Sequence, residues 1–378
     1  MEREHSVPRP GWQRKLEEIG FTYHSMDGRY WDESVCYSFT AEEIDMLESV
    51  TAELHEMCIE AAGAIIERDW FDRLAIPEHA RNLIVDSWNR DEPSLYGRFD
   101  FSYDGRYPPK LLEYNADTPT SLIECGAAQW FWLEEVKPDM DQFNSLHDKL
   151  IERWRQIAAD GWIKGPLYLS CIKENEEDLC TVEYMRDTAA QAGLDTVFIF
   201  TEDIGWDEDR QLFADLDGEE MAALFKLYPW EWLVQEDFGR QLALNKVRMI
   251  EPAWKMLLSN KGILPVLWEL FPHHPNLLPA YFNADNFRRE YVKKPLLSRE
   301  GANIIIEKAQ PLMSKDEGYG GEGYIYQEYS PLPMFGAGNF PVIGAWIVGD
   351  ESAGIGIRED SSLITSNLSR FIPHYFIP

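Results

Sequence analysis

The residues best placed for chemistry are oxygen ligands at alternate positions. Arg98-x-Asp100 is followed by Glu113-x-Asn115-x-Asp117-Thr118-Pro119-Thr120. On a strand, alternate side chains share one face, so Arg98 points with Asp100 and Glu113 with Asn115. Pairing of the two strands makes Asp100, Glu113 and Asn115 converge. All three are hard ligands suited to Mg²⁺, which shares its remaining positions with phosphate. The opposing reading is a surface hairpin of alternating charge. Such a hairpin favours opposite charges across the strands, not acid, acid and amide on one face. Thr118 and Thr120 close the cluster as candidate substrate contacts.

A second set is basic. Lys261 lies in Asn260-Lys261-Gly262, and Lys294 ends the strand-like run Tyr291-Val292-Lys293-Lys294-Pro295. The turn Ser298-Arg299-Glu300-Gly301-Ala302-Asn303 follows. Around Gly301 it can offer backbone N–H groups to phosphate oxygens, with Lys294 as a point charge. A plain loop is the alternative, because GxxxxGK[ST] is absent. The run Ile325–Tyr329 reads as a strand able to present backbone groups to an adenine edge. Arg358 ends the alternating run from Gly354. It can clamp a phosphoryl group or form a surface ion pair of little value.

The acidic run Glu174-Asn175-Glu176-Glu177-Asp178 opens a helix, where acids meet the positive end of the dipole. It also follows a strand's C-terminal end, where parallel sheets bind ligands. Glu176 and Glu177 are therefore candidates to receive an ammonium group. His273 and His274 lack a third ligand nearby and read as structural. Trp206, Trp230, Trp232, Trp254 and Trp268 read as core.

These residues need elements to hold them. Thr40-Ala41-Glu42-Glu43 forms a capping box, and Ile44, Leu47, Val50, Leu54, Met57, Ala61 and Ile65 follow at helical spacing. A helix is predicted over about 41–68, and a second pattern runs from Phe143 to Ile157. Alternating runs 97–103 and 110–115 flank Asp104-Gly105 and predict paired strands. Strand 167–171, a helix ending at Gly193 and strand 196–200 predict a βαβ unit with a parallel sheet. Residues 288–330 return to strands and Gly-rich turns.

The 378 residues carry 35 Lys and Arg against 66 Asp and Glu, a net charge of −31. Such a surface repels phosphate backbones and anionic membranes, so no nucleic-acid or membrane partner is expected. Aromatic content of 13% marks a globular chain rather than an acidic disordered one. No apolar stretch suits a membrane span or a secretory leader. The five cysteines contain no CxxC pair and read as reduced thiols, so a cytoplasmic location is expected.

Four segments together resemble the synthetase domain of the glutathionylspermidine synthase family. They are Arg98-Phe99-Asp100, Glu113-Tyr114-Asn115-Ala116-Asp117-Thr118, Asn260-Lys261-Gly262-Ile263-Leu264-Pro265 with Leu270-Phe271-Pro272-His273-His274, and Lys294-Pro295 with Tyr326-Gln327. The resemblance spans about residues 10–378. It implies an α+β, α/β fold of ATP-grasp type with permuted motif order, metal ligands first and phosphate lysines later. The implied unit is 1–378, with a βαβ substrate subdomain at about 165–235 and a nucleotide-binding lobe at 255–378. The implied activity is ATP- and Mg²⁺-dependent ligation of a carboxylic acid to an amine through an acyl phosphate. An ATP-binding regulatory protein without ligase activity is the alternative.

Carried over, Asp100, Glu113 and Asn115 resemble the Mg²⁺ ligands, and Lys261 and Lys294 the phosphate lysines. Gln327, Glu328, Tyr329 and Ser330 resemble the adenine hinge. Arg98 resembles the arginine that stabilises the acyl phosphate, and Arg358 the family's late arginine. Glu176 and Glu177 fall where the family has acidic substrate contacts, and Thr118 stands where it has a serine. The family's amidase domain does not fit within 378 residues. Its Lys-Thr-Trp-Ala-Trp-Glu stretch is here Lys226-Leu227-Tyr228-Pro229-Trp230-Glu231. Leu227 removes a hydroxyl that contacts glutathione in the family, which points away from glutathione and spermidine as the substrates.

Overall fold

The structure is a computed structural model that describes residues 1–378 other than Asn245, Arg289 and Ala337. The long amphipathic pattern forms helix α1 (Ala41–Glu67). Thr40 Oγ1 accepts from the Glu43 N–H, and the Glu43 carboxylate accepts from the Thr40 N–H. The capping box thus satisfies backbone donors that the first turn cannot pair. Its apolar stripe from Ile44 to Ile65 is buried, as the spacing requires.

The predicted strand pair forms as β1 (Tyr96–Ser102) and β2 (Lys110–Asn115), antiparallel. Helix α2 (Leu146–Ala159) starts later than its apolar pattern. Phe143 is held outside it because its carbonyl accepts from the Ile355 N–H. The βαβ unit is present as β3 (Leu167–Cys171), α3 (Glu176–Gln191) and β4 (Thr196–Phe200), with β3 and β4 parallel. Strands β5 (Ala223–Lys226) and β6 (Arg248–Ile250) extend this parallel sheet in the order β6-β5-β3-β4.

A third region carries β7 (Tyr291–Pro295), β8 (Ile305–Glu307) and β9 (Tyr324–Glu328). They lie within a five-stranded antiparallel sheet, with β7 between β9 and β8. The chain then returns through β10 (Phe340–Val348), β11 (Glu351–Asp360) and β12 (Arg370–Ile372) to the first pair. The resulting sheet has the order β12-β11-β10-β1-β2. Helix α1 packs on β10 and β11, so Tyr96 through Ser102 are buried along their whole length.

The architecture is a mixed α/β one with separate parallel and antiparallel sheets. Among the described residues no helix is long and apolar enough to cross a membrane. Cys36, Cys58, Cys125 and Cys171 are buried free thiols and Cys180 is half-buried. Trp230 and Trp254 are core residues, as expected. Trp232 is not: it is 40% exposed. It stands on the short helix Trp230–Leu233, where Trp230 takes the inward position and leaves Trp232 on the rim of a cleft.

Candidate active site

Register decides which chemical groups meet. Asp100 lies directly opposite Glu113, and Arg98 opposite Asn115. Two carboxylates facing each other across a strand pair repel unless cations stand between them. Here each has its own. Arg98 Nε donates to Asp100 Oδ1 at 2.8 Å, and an Arg358 nitrogen donates to Asp100 Oδ2 at 2.9 Å. Lys261 Nζ lies 3.2 Å from Glu113 Oε2.

Glu113 responds to this setting. Burial alone would raise its carboxyl, yet Lys261 and Lys294 hold it well below the ordinary carboxylate range. Asn115 Nδ2 donates to Glu113 Oε1 at 3.1 Å, which leaves the amide oxygen of Asn115 as a ligand atom. Gly344 lies opposite Asp100 on β10. A Cβ there would sit 2.8 Å from Arg98 Cδ, so glycine lets the guanidinium cross the sheet.

The pairing of β1 with β2 slips one residue after Asp100, leaving Leu112 as the extra residue. A bulge of this kind frees a backbone group from the ladder. The freed Leu112 carbonyl accepts from Lys294 Nζ at 2.7 Å. Gln327 Oε1 accepts from the same ammonium at 2.8 Å, because β7 and β9 are neighbours. Burial lowers Lys294 to a pKa of about 8, opposed by Glu113 and reinforced by Lys261. Lys261 is also buried, and its Nζ donates to the Ser298 carbonyl at 2.5 Å.

These side chains converge on one cleft of about 250 Å³. Arg98, Asp100, Glu113, Asn115, Lys294 and Arg358 line it, as do Thr118 and Thr120. Gly301, Gln327, Glu328, Tyr329 and Ser330 form another stretch of its wall. Gly301 has φ +73°, and a Cβ there would lie 2.4 Å from the Thr365 carbonyl oxygen. Lys261 stands behind Glu113 rather than on the cleft surface. Glu176 is exposed, accepts from Thr22 Oγ1 at 2.5 Å, and lies outside the lining.

Glu177 is half-buried on the first turn of α3 and, like Glu176, lies outside the lining. Burial pushes its carboxyl up, while Thr120, Arg358 and Arg98 pull it back. Asp178 lines the cleft. Burial, then Glu177 and Glu300, push it up to about 7. Nothing in the acidic run distinguishes Asp178 from its neighbours by type. The N-cap does: Asn175 Oδ1 accepts from the Asp178 N–H at 3.1 Å, which sets the helix rotation.

Arg299 was hidden in the sequence inside what reads as a small-residue turn. It lines the cleft and donates to Glu231 Oε1 at 2.9 Å and to Thr118 Oγ1 at 2.6 Å. It thus joins the turn after β7 to the segment after β5. Ile364, Thr365 and Asn367 complete the rim and carry no motif that marks them.

Beside this acidic end, Glu124 is fully buried in a single π-helical turn (Glu124–Ala128). Its Oε1 accepts from the hydroxyls of Tyr23 at 2.8 Å and Tyr30 at 2.7 Å. Burial, then the nearby Glu177, push its carboxyl from 4.5 up to about 7. Between those values the folded chain keeps a proton that the unfolded chain has lost. The stability this group contributes is therefore present below pH 4.5 and lost as pH rises through 7. Glu124→Gln is expected to raise the melting temperature at pH 8 but not at pH 4, as thermal melts at the two pH values will show.

The sequence pattern described as "Glutathionylspermidine synthase preATP-grasp" matches residues 3–377. The chain belongs to that family. It is 43% identical to a Haemophilus influenzae protein named "Putative acid--amine ligase", over 98% of each chain. It is 28% identical to trypanothione synthetase of Crithidia fasciculata, over 94% of this chain and 57% of that one. It is 29% identical to the bifunctional glutathionylspermidine synthetase/amidase of Escherichia coli, over 96% of this chain and 63% of that one. The chain therefore spans the H. influenzae relative fully and about three fifths of the other two.

A solved structure of a glutathione synthetase-like effector from Globodera pallida superposes with a TM-score of 0.61. It is 12% identical and the match covers 97% of this chain and 96% of that one. At that identity the likeness concerns the fold alone: it is glutathione synthetase-like. The family assignment agrees with the resemblance read from the Arg98–Asp100, Glu113–Thr118 and Lys261 segments.

Proposed function

We propose that the chain is an ATP-dependent ligase that forms an amide between a carboxylic acid and an amine, by way of an acyl phosphate. One observation carries the reading. Arg98, Asp100, Glu113, Asn115, Lys294 and Arg358, drawn from four strands, line the same cleft. A carboxylate is a poor electrophile until it is phosphorylated. Phosphoryl transfer asks the protein for position and charge neutralisation more than for covalent help.

The residues fit a divalent cation. No group of three or more His, Cys, Asp or Glu side chains is gathered as a metal site among the described residues. The set here is two carboxylates and an amide, which suits Mg²⁺ shared with phosphates. Glu113 is kept ionised, and Asn115 has its oxygen turned away from the hydrogen bond it donates. Bound Mg²⁺ supplies Lewis-acid charge at phosphoryl oxygens.

The chain's own groups then divide the work. Lys294, with Lys261 behind it, neutralises phosphate charge. Backbone groups of the turn at Gly301 take phosphate oxygens. In this reading Gln327 to Ser330 border the nucleotide base, the nucleotide lobe falls within 255–378, and the acid and amine lie towards the βαβ region. The order of metal ligands before lysines is the permuted one. Arg98 and Arg358 face the acid carboxylate and hold the charge that develops as its oxygen takes the phosphoryl group. Thr118 and Thr120 orient the acid. Asp178, which lines the cleft beside Glu177, receives the proton that the amine gives up on attack, its pKa of about 7 suiting it to that task near neutral pH.

Leu227 lines the cleft where a hydroxyl would offer a hydrogen bond. The acid accepted here therefore presents an apolar group at that point, unlike glutathione. The test is phosphate release across a panel of acids and amines. Release is expected only when an acid and an amine are both present, and Lys294→Ala is expected to abolish it. Mg·ATP should raise the melting temperature of the parent chain by mass action. Mg·ATP binding without acid-dependent release across the panel would instead favour a nucleotide-binding regulator.

A further inference from the structure

A second cavity, of about 90 Å³, lies on the far side of the cleft wall. Strands β3 and β5 send alternate side chains to opposite faces of the parallel sheet. Leu169, Cys171 and Phe225 enter the core shared with α2 and α3. Ser170, Leu224 and Lys226 face the other way and line this cavity. That face is roofed by a short hairpin, Gly205–Asp207 with Leu212–Ala214, and by a 3₁₀ segment, Gly239–Leu244. Phe213 and Leu242 come from this roof, and Val247 and Met249 from the chain that follows it.

Among the described residues, two polar atoms in this apolar space lack partners. Ser170 is completely buried, and its Oγ has no hydrogen bond. Thr201 Oγ1, at the end of β4, is likewise buried and unpaired. Buried hydroxyls are seldom left so. The buried charge of the lining is already matched, and the Glu236 carboxylate stands exposed at the edge. Lys226 pairs with Asp117, and Glu236 accepts from the Tyr228 hydroxyl at 2.5 Å.

We propose that this cavity is an accessory site for a small neutral molecule with an apolar body and one hydroxyl or carbonyl group. Ser170 and Thr201 receive the polar group, and Leu224, Phe213, Leu242 and Met249 enclose the body. Neutrality follows because the buried cation of the lining, Lys226, already has its counter-ion in Asp117. The site backs directly on the reaction cleft. Lys226 and Tyr228 line the cavity, whereas Leu227 and Pro229 of the same segment line the cleft.

Phenol is the probe, titrated calorimetrically into the full chain. Saturable 1:1 binding is expected. Ser170→Ala, which removes only the hydroxyl, is expected to weaken it about 5-fold, the size of one hydrogen bond. Val247→Phe fills the cavity from the chain that follows its roof and is expected to abolish binding, with the folded state checked by circular dichroism. Absence of saturable binding to the parent chain, which would leave the cavity to water, overturns the proposal. So does equal binding to the parent and both variants. Neither variant touches the reaction cleft, so Mg·ATP binding stays a separate measure of the ligase reading.

Discussion

Asp100→Asn is expected to lower turnover about 10³-fold while the protein stays folded. The carboxylate accepts from Arg98 with one oxygen and from Arg358 with the other. It also stands opposite Glu113 in the register that gathers the cluster. Asparagine keeps the shape but turns an NH₂ group towards one guanidinium and removes one of the two negative charges. The arginines then lose their fixed direction towards the acid. Loss of one such preorganised charge costs about 3–4 kcal/mol in the barrier. Phosphate release measured at saturating Mg·ATP checks it, and retention of a tenth of parent turnover would remove Asp100 from the site. Asp100→Ala is a poorer test. It leaves Arg98 buried without its partner, a defect that costs about 3–5 kcal/mol of stability.

The second large effect is on folding. Lys226 and Asp117 are both buried, and Lys226 Nζ lies 2.5 Å from Asp117 Oδ1. Burial pulls the lysine's pKa down, and Asp117 opposes that. Asp117 Oδ2 also accepts from the Trp230 N–H at 2.8 Å. Lys226→Met strands the carboxylate in the interior, and urea unfolding is expected to show a loss of about 3–5 kcal/mol. Lys226→Met combined with Asp117→Leu is expected to regain most of that stability, because an apolar pair needs no compensation. Turnover should stay low in the double variant. Asp117 fastens the stretch carrying Thr118 to the segment of Leu227 and Trp230, and no apolar side chain reproduces that hydrogen bond.

The same residues show how much could be read in advance. Helix α1 was legible because its signals are local: a capping box and a stripe repeating at helical spacing. The pair β1 and β2 was legible from alternation around Asp104-Gly105. Alternation also told which of Arg98, Asp100, Glu113 and Asn115 share a face. It could not show that the register slips after Asp100, since a bulge is set by both strands together. Glu176 and Glu177 looked equivalent as adjacent acids. Only the rotation of α3 separates the exposed Glu176 from Glu177, and it is Asp178 that reaches the cleft.

What the chain determined by itself was residue type and local period: hard oxygen ligands on alternate positions, lysines beside turns, and elements to carry them. These depend on neighbours within a few residues, which a sequence displays. Tertiary structure alone decided that Arg299 meets Thr118 and Glu231, that Lys294 answers the Leu112 carbonyl, and that Trp232 stands on a rim. Those contacts join positions dozens to nearly two hundred residues apart. Their geometry comes from how sheets pack and twist against one another, which no local pattern encodes.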